Sequence, residues 1–485
     1  MIGDLAAKFR AELAAQFVVI VAGGAVTVGL ARLLSPAEYG LLFLAISVFA
    51  VIGVCSKLGI AKSGARYVAS YRQTDPEQVP HVLAITLSFN LAAIGVVAVG
   101  LTIGYEVLAN MLGEPALAPY LLLGVGYLVF EALKTYVRIV LQGFEEIQFA
   151  AVVHALDQMT RAVFALGFAL AGFGGTGALV GWILGFALAT FVGGAMLYHR
   201  HYHRPARSRE PDLLRSIGRY AVPLTATNSA NVLDKRLDTV IVGVLLTPVA
   251  VSAYVIGKQV VQFVETPLEA LGFTLSPTFG SLKAADDIAK ARGLYEQALV
   301  GALSIYVPVA VGIALVADPV VPMVFGDGYA GAVPVLQVLS IYVVCQSVTK
   351  LTSNGLDYLG RARDRAIVKG ITAVANVGLT VGFVLWIGVV GAAVATVATY
   401  AVYTLANVYI AHTEFDLRVG YLSRKFGVVC GVTAIMGGAV LVVLPLVSGP
   451  VTLLGAIAVG GVVWAVLAVA TGLVDPVSIG HAVTS

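Results

Sequence analysis

The chain has 485 residues, of which 59% are hydrophobic and 12% charged, with a net charge of +3. Soluble domains carry about 25% charged residues, so this composition excludes a soluble globular protein and implies a polytopic membrane protein. The three cysteines, Cys55, Cys345 and Cys430, lie far apart in apolar runs, which excludes a disulfide framework and a cysteine metal site.

The opening "MIGDLAAKFRAEL" reads as an amphipathic lead. The apolar run after it is too long for a cleavable signal and lacks a clear cleavage site. About 20 apolar residues cross a bilayer as helix. About fourteen such runs follow, near 14–34, 39–58, 81–103, 117–140, 150–172, 177–197, 219–246, 249–272, 294–316, 330–352, 366–387, 389–411, 425–447 and 451–472. An all-α polytopic bundle is the expected fold.

With the N-terminus inside, the even-numbered connections collect the bases. They hold Lys57, Lys62, Arg66 and Arg72, then Arg138, then "HRHYHRPARSRE" with Arg215. Lys283, Lys290 and Arg292 follow, then Arg361, Arg363, Arg365 and Lys369, then Arg418, Arg424 and Lys425. Glu106, Glu114, Asp318 and Asp327 fall outside. This positive-inside pattern places both termini in the cytoplasm of a cell-membrane protein. His199, His201 and His203 sit among arginines and read as a charged surface rather than a metal tract.

An internal repeat is visible. "LLSP" at Leu33 returns as "LLTP" at Leu245, Gly143 as Gly355, and "GGTGALVGW" near Gly177 as "GVVGAAVAT" near Gly391, at offsets of about 212–214. The unit is six spans, an even number, so the two copies are parallel. Carriers with this arrangement hold substrate at the repeat interface. The expected domains are a first lobe at 1–197, a basic linker at 198–218, a second lobe at 219–411, and an accessory pair with a short tail at 412–485.

Ionisable residues inside spans are costly and face a bundle interior or a water-filled cavity. Residues three, four or seven apart share a helix face. On that spacing Glu131, Lys134 and Arg138 share a face of the fourth span, and His154, Asp157 and Arg161 one of the fifth. "NVLDKRLD" puts Asn228, Asn231, Asp234 or Lys235, and Asp238 on a face of the seventh. Lys258, Gln262, Glu265 and Glu269 follow in the eighth, and Gln346 and Lys350 in the tenth. Embedded acids and bases are equal in number, so local pairing accounts for some: Asp157 with Arg161, and Asp234 and Asp238 with Lys235. Lys134, Lys258 and Lys350 have no sequence-local counter-ion, which predicts a cavity that attracts anions. The glycines at 177, 181, 185 and 193 form a packing stripe. Pro223, Pro267, Pro308 and Pro334 are expected to kink their helices. No Walker loop, H-E-x-x-H or nucleophile elbow is present. A transporter is therefore expected, not an enzyme, with no cofactor, no metal and no nucleic-acid partner.

The stretch "LARLLSPAEYGLLFLAISVFAVIGVCSKLGIAKSGARYVASY" (30–71) resembles the opening hairpin of the oligosaccharide (lipid-linked saccharide, O-antigen-type) flippases of the multidrug/oligosaccharidyl-lipid/polysaccharide exporter superfamily. "LDTVIVGVLLTPVAVSAYVIGKQVVQFVE" (237–265) is similar to that family's seventh and eighth spans. The resemblance implies a MATE-like carrier of two six-helix lobes plus the C-terminal pair. It implies a flippase that moves a polyprenyl-(pyro)phosphate-linked oligosaccharide from cytoplasmic to outer leaflet by alternating access around a central cationic cavity. The alternative is a cation-coupled drug or metabolite antiporter of the same superfamily. Such exporters place coupling acids in the first lobe, where Asp157 is the only mid-membrane carboxylate and the first span has none. A phosphate link must exchange water for fixed donors, a role for lysine and arginine. Lys134, Arg161, Lys235, Arg236, Lys258 and Lys350 are the candidate phosphate ligands. Asp157, Asn228, Asn231, Asp234, Asp238, Gln262, Glu265 and Gln346 are the candidates for sugar hydroxyls, for orienting the bases, or for H+ or Na+ coupling. The expected partners are the lipid-linked glycan and membrane lipids, and a monomer is the expected working form.

Overall fold

The computed structural model describes residues 22–201 and 208–473, with the side chains of 266–277, 284 and 354 excepted. The lead at 1–21, His203, and the side chains of Pro267 and Glu269 lie outside these. The described residues fold as fifteen α-helices with a few 3-10 turns and no strand. They are α1 (Ala22–Leu33), α2 (Pro36–Lys57), α3 (Ile60–Thr74), α4 (Val79–Met111), α5 (Ala118–Gly143), α6 (Ile147–Leu170), α7 (Gly174–His201) and α8 (Leu213–Leu245). Then come α9 (Pro248–Ala284), α10 (Ile288–Phe325), α11 (Ala332–Tyr358), α12 (Ala362–Ile387), α13 (Val389–Phe415), α14 (Val419–Val443) and α15 (Pro450–Ala470). Ten of them, α2, α4, α5, α7 and α10 to α15, are long and apolar enough to cross a membrane. Among the others, α6 carries Asp157 and Arg161 and α8 carries the 234–238 charges, which lower their hydropathy.

Local chemistry fixes the helix starts. Ser35 caps α2: its Oγ accepts from Glu38 N at 3.3 Å, and Glu38 Oε2 accepts from Ser35 N at 3.0 Å. Pro36 fills the first position, where a missing N–H has no cost. The second "LP-type" corner repeats this device, with Thr247 Oγ1 accepting from Ala250 N at 3.4 Å before α9. The starts of α2 and α9 lie 212 residues apart, those of α6 and α12 215, and those of α7 and α13 215.

The basic stretch after α2, expected as a plain connection, is instead helix α3. Leu58 (φ 42°) and Gly59 (φ 63°) are both left-handed and turn the chain between α2 and α3. A Cβ on Gly59 would lie 2.8 Å from Ala221 O and 2.9 Å from Leu224 Cβ. Only glycine allows both that φ and this approach of α8. Helix α3 is amphipathic: Ile60, Ala61 and Val68 are buried, while Lys62, Arg66 and Arg72 are exposed. Its apolar face packs on α4, α5 and α8. Pro334 does not kink a helix. It sits in the first turn of α11, where the amide has no intrahelical partner to lose. Pro223 and Pro308 do lie inside α8 and α10.

The chain divides into two compact units, Met1–Ser252 and Ala253–Ser485. In the first, α6 packs along α7, α5 crosses α7 and α4, and α8 lies on α2 and α3. The glycine stripe serves the α6–α7 contact: a Cβ at Gly181 would lie 2.4 Å from Ala165 N, and one at Gly185 2.5 Å from Arg161 Cγ. A core of Val68, Val82, Tyr136, Val140, Leu141, Val153, Leu213 and Ile217 closes one end. In the second unit α12 packs along α13, α11 on α13, and α10 on α11, while α14 and α15 pack on α10 and each other. Its core gathers Phe279, Tyr295, Leu351, Leu356, Phe415 and Leu417. The pairing α5–α7, α6–α7 in the first unit therefore returns as α11–α13, α12–α13 in the second.

Candidate functional site

A cavity of about 440 Å³ opens within the first unit. Helix α2 contributes Ala50, Val54 and Lys57, and α3 Ala61 and Lys62, on either side of the Leu58–Gly59 turn. Asn90 comes from α4, and Ala132, Thr135, Tyr136 and Ile139 from α5. Helix α8 supplies Thr225, Asn228, Asn231, Val232, Lys235 and Arg236. Steps of three and four along α8 carry this polar stripe down one wall. Four bases and no acid stand among the described lining residues.

The polar groups are arranged for use. Lys62 Nζ lies 3.4 Å from Asn228 Oδ1. Asn90 is buried; its amide nitrogen donates to Ser56 O at 3.2 Å, and its Oδ1 has no hydrogen-bond partner. Lys57 Nζ is 2.6 Å from Glu131 on α5, so one lining base is already paired. Of the candidate site residues, Asn228, Asn231, Lys235 and Arg236 are brought together here. Asp234 and Asp238 are not among the lining residues. Asp238 is buried and accepts from Thr239 N at 2.7 Å. Lys57, Lys62 and Asn90 were missed by sequence reasoning. The two lysines look like ordinary loop charges until the 58–59 turn folds them back, and Asn90 is a single amide in an apolar run.

Lys134, Asp157 and Arg161 form a separate cluster between α5, α6 and α7. Asp157 has almost no exposure (1% of its side chain); Lys134 Nζ is 3.0 Å from its Oδ2 and Arg161 Nε 2.8 Å from its Oδ1. The Nε–Oδ1 contact lacks hydrogen-bond alignment, while Arg161 Nη2 donates to Asp157 Oδ2 at 3.5 Å. Lys134 Nζ is 4.6 Å from the Phe186 ring centre, and Arg161 Cζ 4.9 Å from Phe186 and 5.2 Å from Trp182. Asp157 and Arg161 do pair along α6. The counter-ion of Lys134, invisible from its own helix, is the same Asp157 across the α5–α6 contact. His154 Nδ1 lies 3.4 Å from Arg138 Nη1.

The remaining candidates belong to the second unit. Lys258 Nζ is 5.3 Å from the Tyr254 ring centre on α9, where Gln262 is exposed and Glu265 half-buried. On α11 the buried Gln346 donates to the Tyr342 hydroxyl, and Lys350 is half-buried one turn on. Sequence reasoning also missed Glu296, fully buried on α10, which accepts from Arg418 N at 2.8 Å and Nε at 2.9 Å. The segment before α8 is docked on α3: the Tyr71 hydroxyl donates to Glu210, and that carboxylate, with burial, pushes the tyrosine pKa up to about 12. His201 is no free surface charge, since it stacks on Phe144 with ring centres 3.9 Å apart.

The family model described as "Polysaccharide biosynthesis protein" matches residues 29–334, more than half of the chain. The chain belongs to this family. The cavity and the Asp157 cluster both lie within the matched span. Among family-type relatives, the chain is 25% identical over 381 residues to the lipopolysaccharide biosynthesis protein WzxC of Escherichia coli K12, covering 73% of each. It is 25% identical over 185 residues to the probable low-salt glycan biosynthesis flippase Agl15 of Haloferax volcanii, covering 38% of this chain and 39% of that protein. The fold matches the lipid II flippase MurJ in an inward closed conformation with a TM-score of 0.77 at 16% identity, over 95% of this chain and 98% of that one. It also matches an inward-facing multidrug resistance MATE family transporter with a TM-score of 0.71 at 16% identity, over 84% and 96%. The resemblance read at 30–71 and 237–265 stands. The fold is the all-helical MurJ/MATE-like one, and the chain is an integral membrane protein.

Proposed function

We propose that this family member is a flippase that carries a polyprenyl-(pyro)phosphate-linked oligosaccharide from the cytoplasmic to the outer leaflet. The observation that carries the reading is the 440 Å³ cavity with Lys57, Lys62, Lys235 and Arg236 in its wall and no acid among its described lining residues. A phosphate link losing its water needs several fixed donors, and arginine supplies two parallel ones. Asn90, Asn228 and Asn231 can exchange hydrogen bonds with neighbouring oxygens. The bases of the Asp157 cluster belong to the same electrostatic field. Lys258 and Lys350 are the candidate phosphate ligands of the second unit.

In this reading about fourteen spans form two parallel six-helix lobes, 1–197 and 219–411, joined by the linker 198–218 and followed by the accessory pair at 412–485. The lobes alternate access around a central cationic cavity, and the monomer is the working form. Both termini face the cytoplasm. An inside-negative potential moves an anion outward by about 2.3 kcal/mol per charge per 100 mV of field crossed. The cycle runs on that potential or on H+ or Na+ bound at Asp157, His154 or Asp238. The second reading, a cation-coupled exporter of drugs or metabolites, draws on the buried Asp157 and the MATE-like fold.

The experiment is deletion of the gene with analysis of surface glycans and lipid-linked saccharides by mass spectrometry. Loss of surface glycan with build-up of complete, cytoplasm-facing precursor is expected. Complementation with a Lys235→Gln, Arg236→Gln double variant should restore no more than about a tenth of export, since charge-assisted contacts contribute about 1.5–3 kcal/mol each. Unchanged glycan with altered drug or cation sensitivity selects the exporter reading.

A further inference from the structure

The two units place different chemistry at equivalent helix positions. With α6–α7 and α12–α13 in register at 215 residues, His154 corresponds to Lys369. Asp157 corresponds to Thr372, Arg161 to Asn376 and Gly185 to Tyr400. In the first unit the missing side chain of Gly185 leaves room for Arg161, which closes on Asp157. In the second unit that room is filled by a phenol.

Tyr400 then organises its neighbours. Lys369 Nζ donates to the Tyr400 hydroxyl at 2.9 Å and stands 4.2 Å from that ring centre and 4.9 Å from that of Tyr403. Tyr342 meets Tyr400 edge-on, with ring centres 4.7 Å apart, and its hydroxyl receives the Gln346 amide. Asn376 Nδ2 donates to Thr399 Oγ1 at 2.9 Å. Tyr342, Lys369, Asn376 and Tyr400 are all half-buried, so each keeps some accessible surface.

From this seam we infer a saccharide subsite on α11, α12 and α13, formed by Tyr342, Gln346, Lys369, Asn376 and Tyr400. This rests on the flippase reading and assigns the glycan, rather than its phosphate link, to the second unit. Tyrosine offers an apolar ring face with a polar tip, which suits the C–H face and hydroxyl rim of a pyranose. Amide, phenol and ammonium groups together both donate and accept, as a hydroxyl-rich ligand requires. A di- or trianionic phosphate needs clustered bases, as in the first-unit cavity.

The test uses the full chain in lipid nanodiscs and two probes in equilibrium titrations. One probe is farnesyl pyrophosphate, which has no sugar. The other is the pyrophosphate-linked glycan extracted from cells lacking this gene. Tyr400→Leu should weaken the glycan probe about tenfold or more while leaving farnesyl pyrophosphate within about twofold, because sites built for hydroxyls discriminate strongly against ligands that lack them. Tyr400→Phe, which keeps the ring and packing, should show a smaller loss for the glycan probe alone and guards against misfolding. Lys235→Gln should weaken both probes. If Tyr400 variants leave both probes unchanged, or weaken both alike, the subsite assignment is overturned while the flippase reading stands. If the wild-type chain binds neither probe, both fall.

Discussion

A carboxylate that holds two bases out of water, as Asp157 does with Lys134 and Arg161, cannot be neutralised without cost to its partners. Breaking a buried ion pair from one side costs about 3–5 kcal/mol, because the remaining charge is left unpaired. Asp157→Asn is therefore expected to lower the thermal unfolding temperature of the detergent-solubilised chain clearly, and a Lys134→Met partner change should return part of that loss. An Asp157→Asn chain as stable as wild type would mean that the cluster is solvated in the membrane. Lys57 differs. It pairs with Glu131 at 2.6 Å while lining the cavity, so in the proposed function an incoming phosphate would compete with Glu131 for it.

At the level of elements, the turn between α2 and α3 shapes the cavity. Leu58 and Gly59 are left-handed in succession, and the lysines on either side of them face one space. Gly59→Ala meets both the φ penalty and the α8 backbone, at a cost of about 1–3 kcal/mol. The expected outcome is lower abundance in the membrane and reduced export at equal abundance, read by immunoblot and glycan assay. A second element effect concerns α14 and α15. Arg418 bridges the α13–α14 connection to the buried Glu296 on α10, and Arg292 Nη1 donates to Asp416 O at 3.1 Å beside it. Arg418→Ala should lower stability, because the buried Glu296 carboxylate then loses its partner, and speed protease cleavage near 416–419. Unchanged cleavage would show that apolar packing alone holds α14 on α10.

For the molecule as a whole, the arrangement of bases predicts sidedness. Short loops rich in lysine and arginine stay in the cytoplasm. Reporter fusions at residues 1 and 485 should both behave as cytoplasmic, and a Glu114→Cys variant should react with an impermeant thiol reagent added outside. Labelling of that position only in inverted vesicles would reverse the assigned orientation and, with it, the proposed direction of transport. The repeat extends this argument to chemistry. Corresponding positions of the two units carry Arg161 and Asn376, or Gly185 and Tyr400, so one helical scaffold presents a charged cluster in one half and an aromatic-amide seam in the other.

The sequence by itself determined the helical class, the membrane setting and the family likeness. Each follows from local composition or from spacing along the chain, which a bilayer reads one segment at a time. It also put Asn228, Asn231, Asp234 or Lys235, and Asp238 on one polar stripe, because helix period alone sets a face. Only tertiary structure decided what that stripe meets. Asp157 is the counter-ion of Lys134 because α5 packs on α6, and Lys62 reaches Asn228 because Gly59 lets α8 approach. Asp238 is buried outside the cavity lining, where its carboxylate accepts from Thr239 N. Ion pairing and cavity shape depend on which faces touch, and no periodicity within a single helix encodes that.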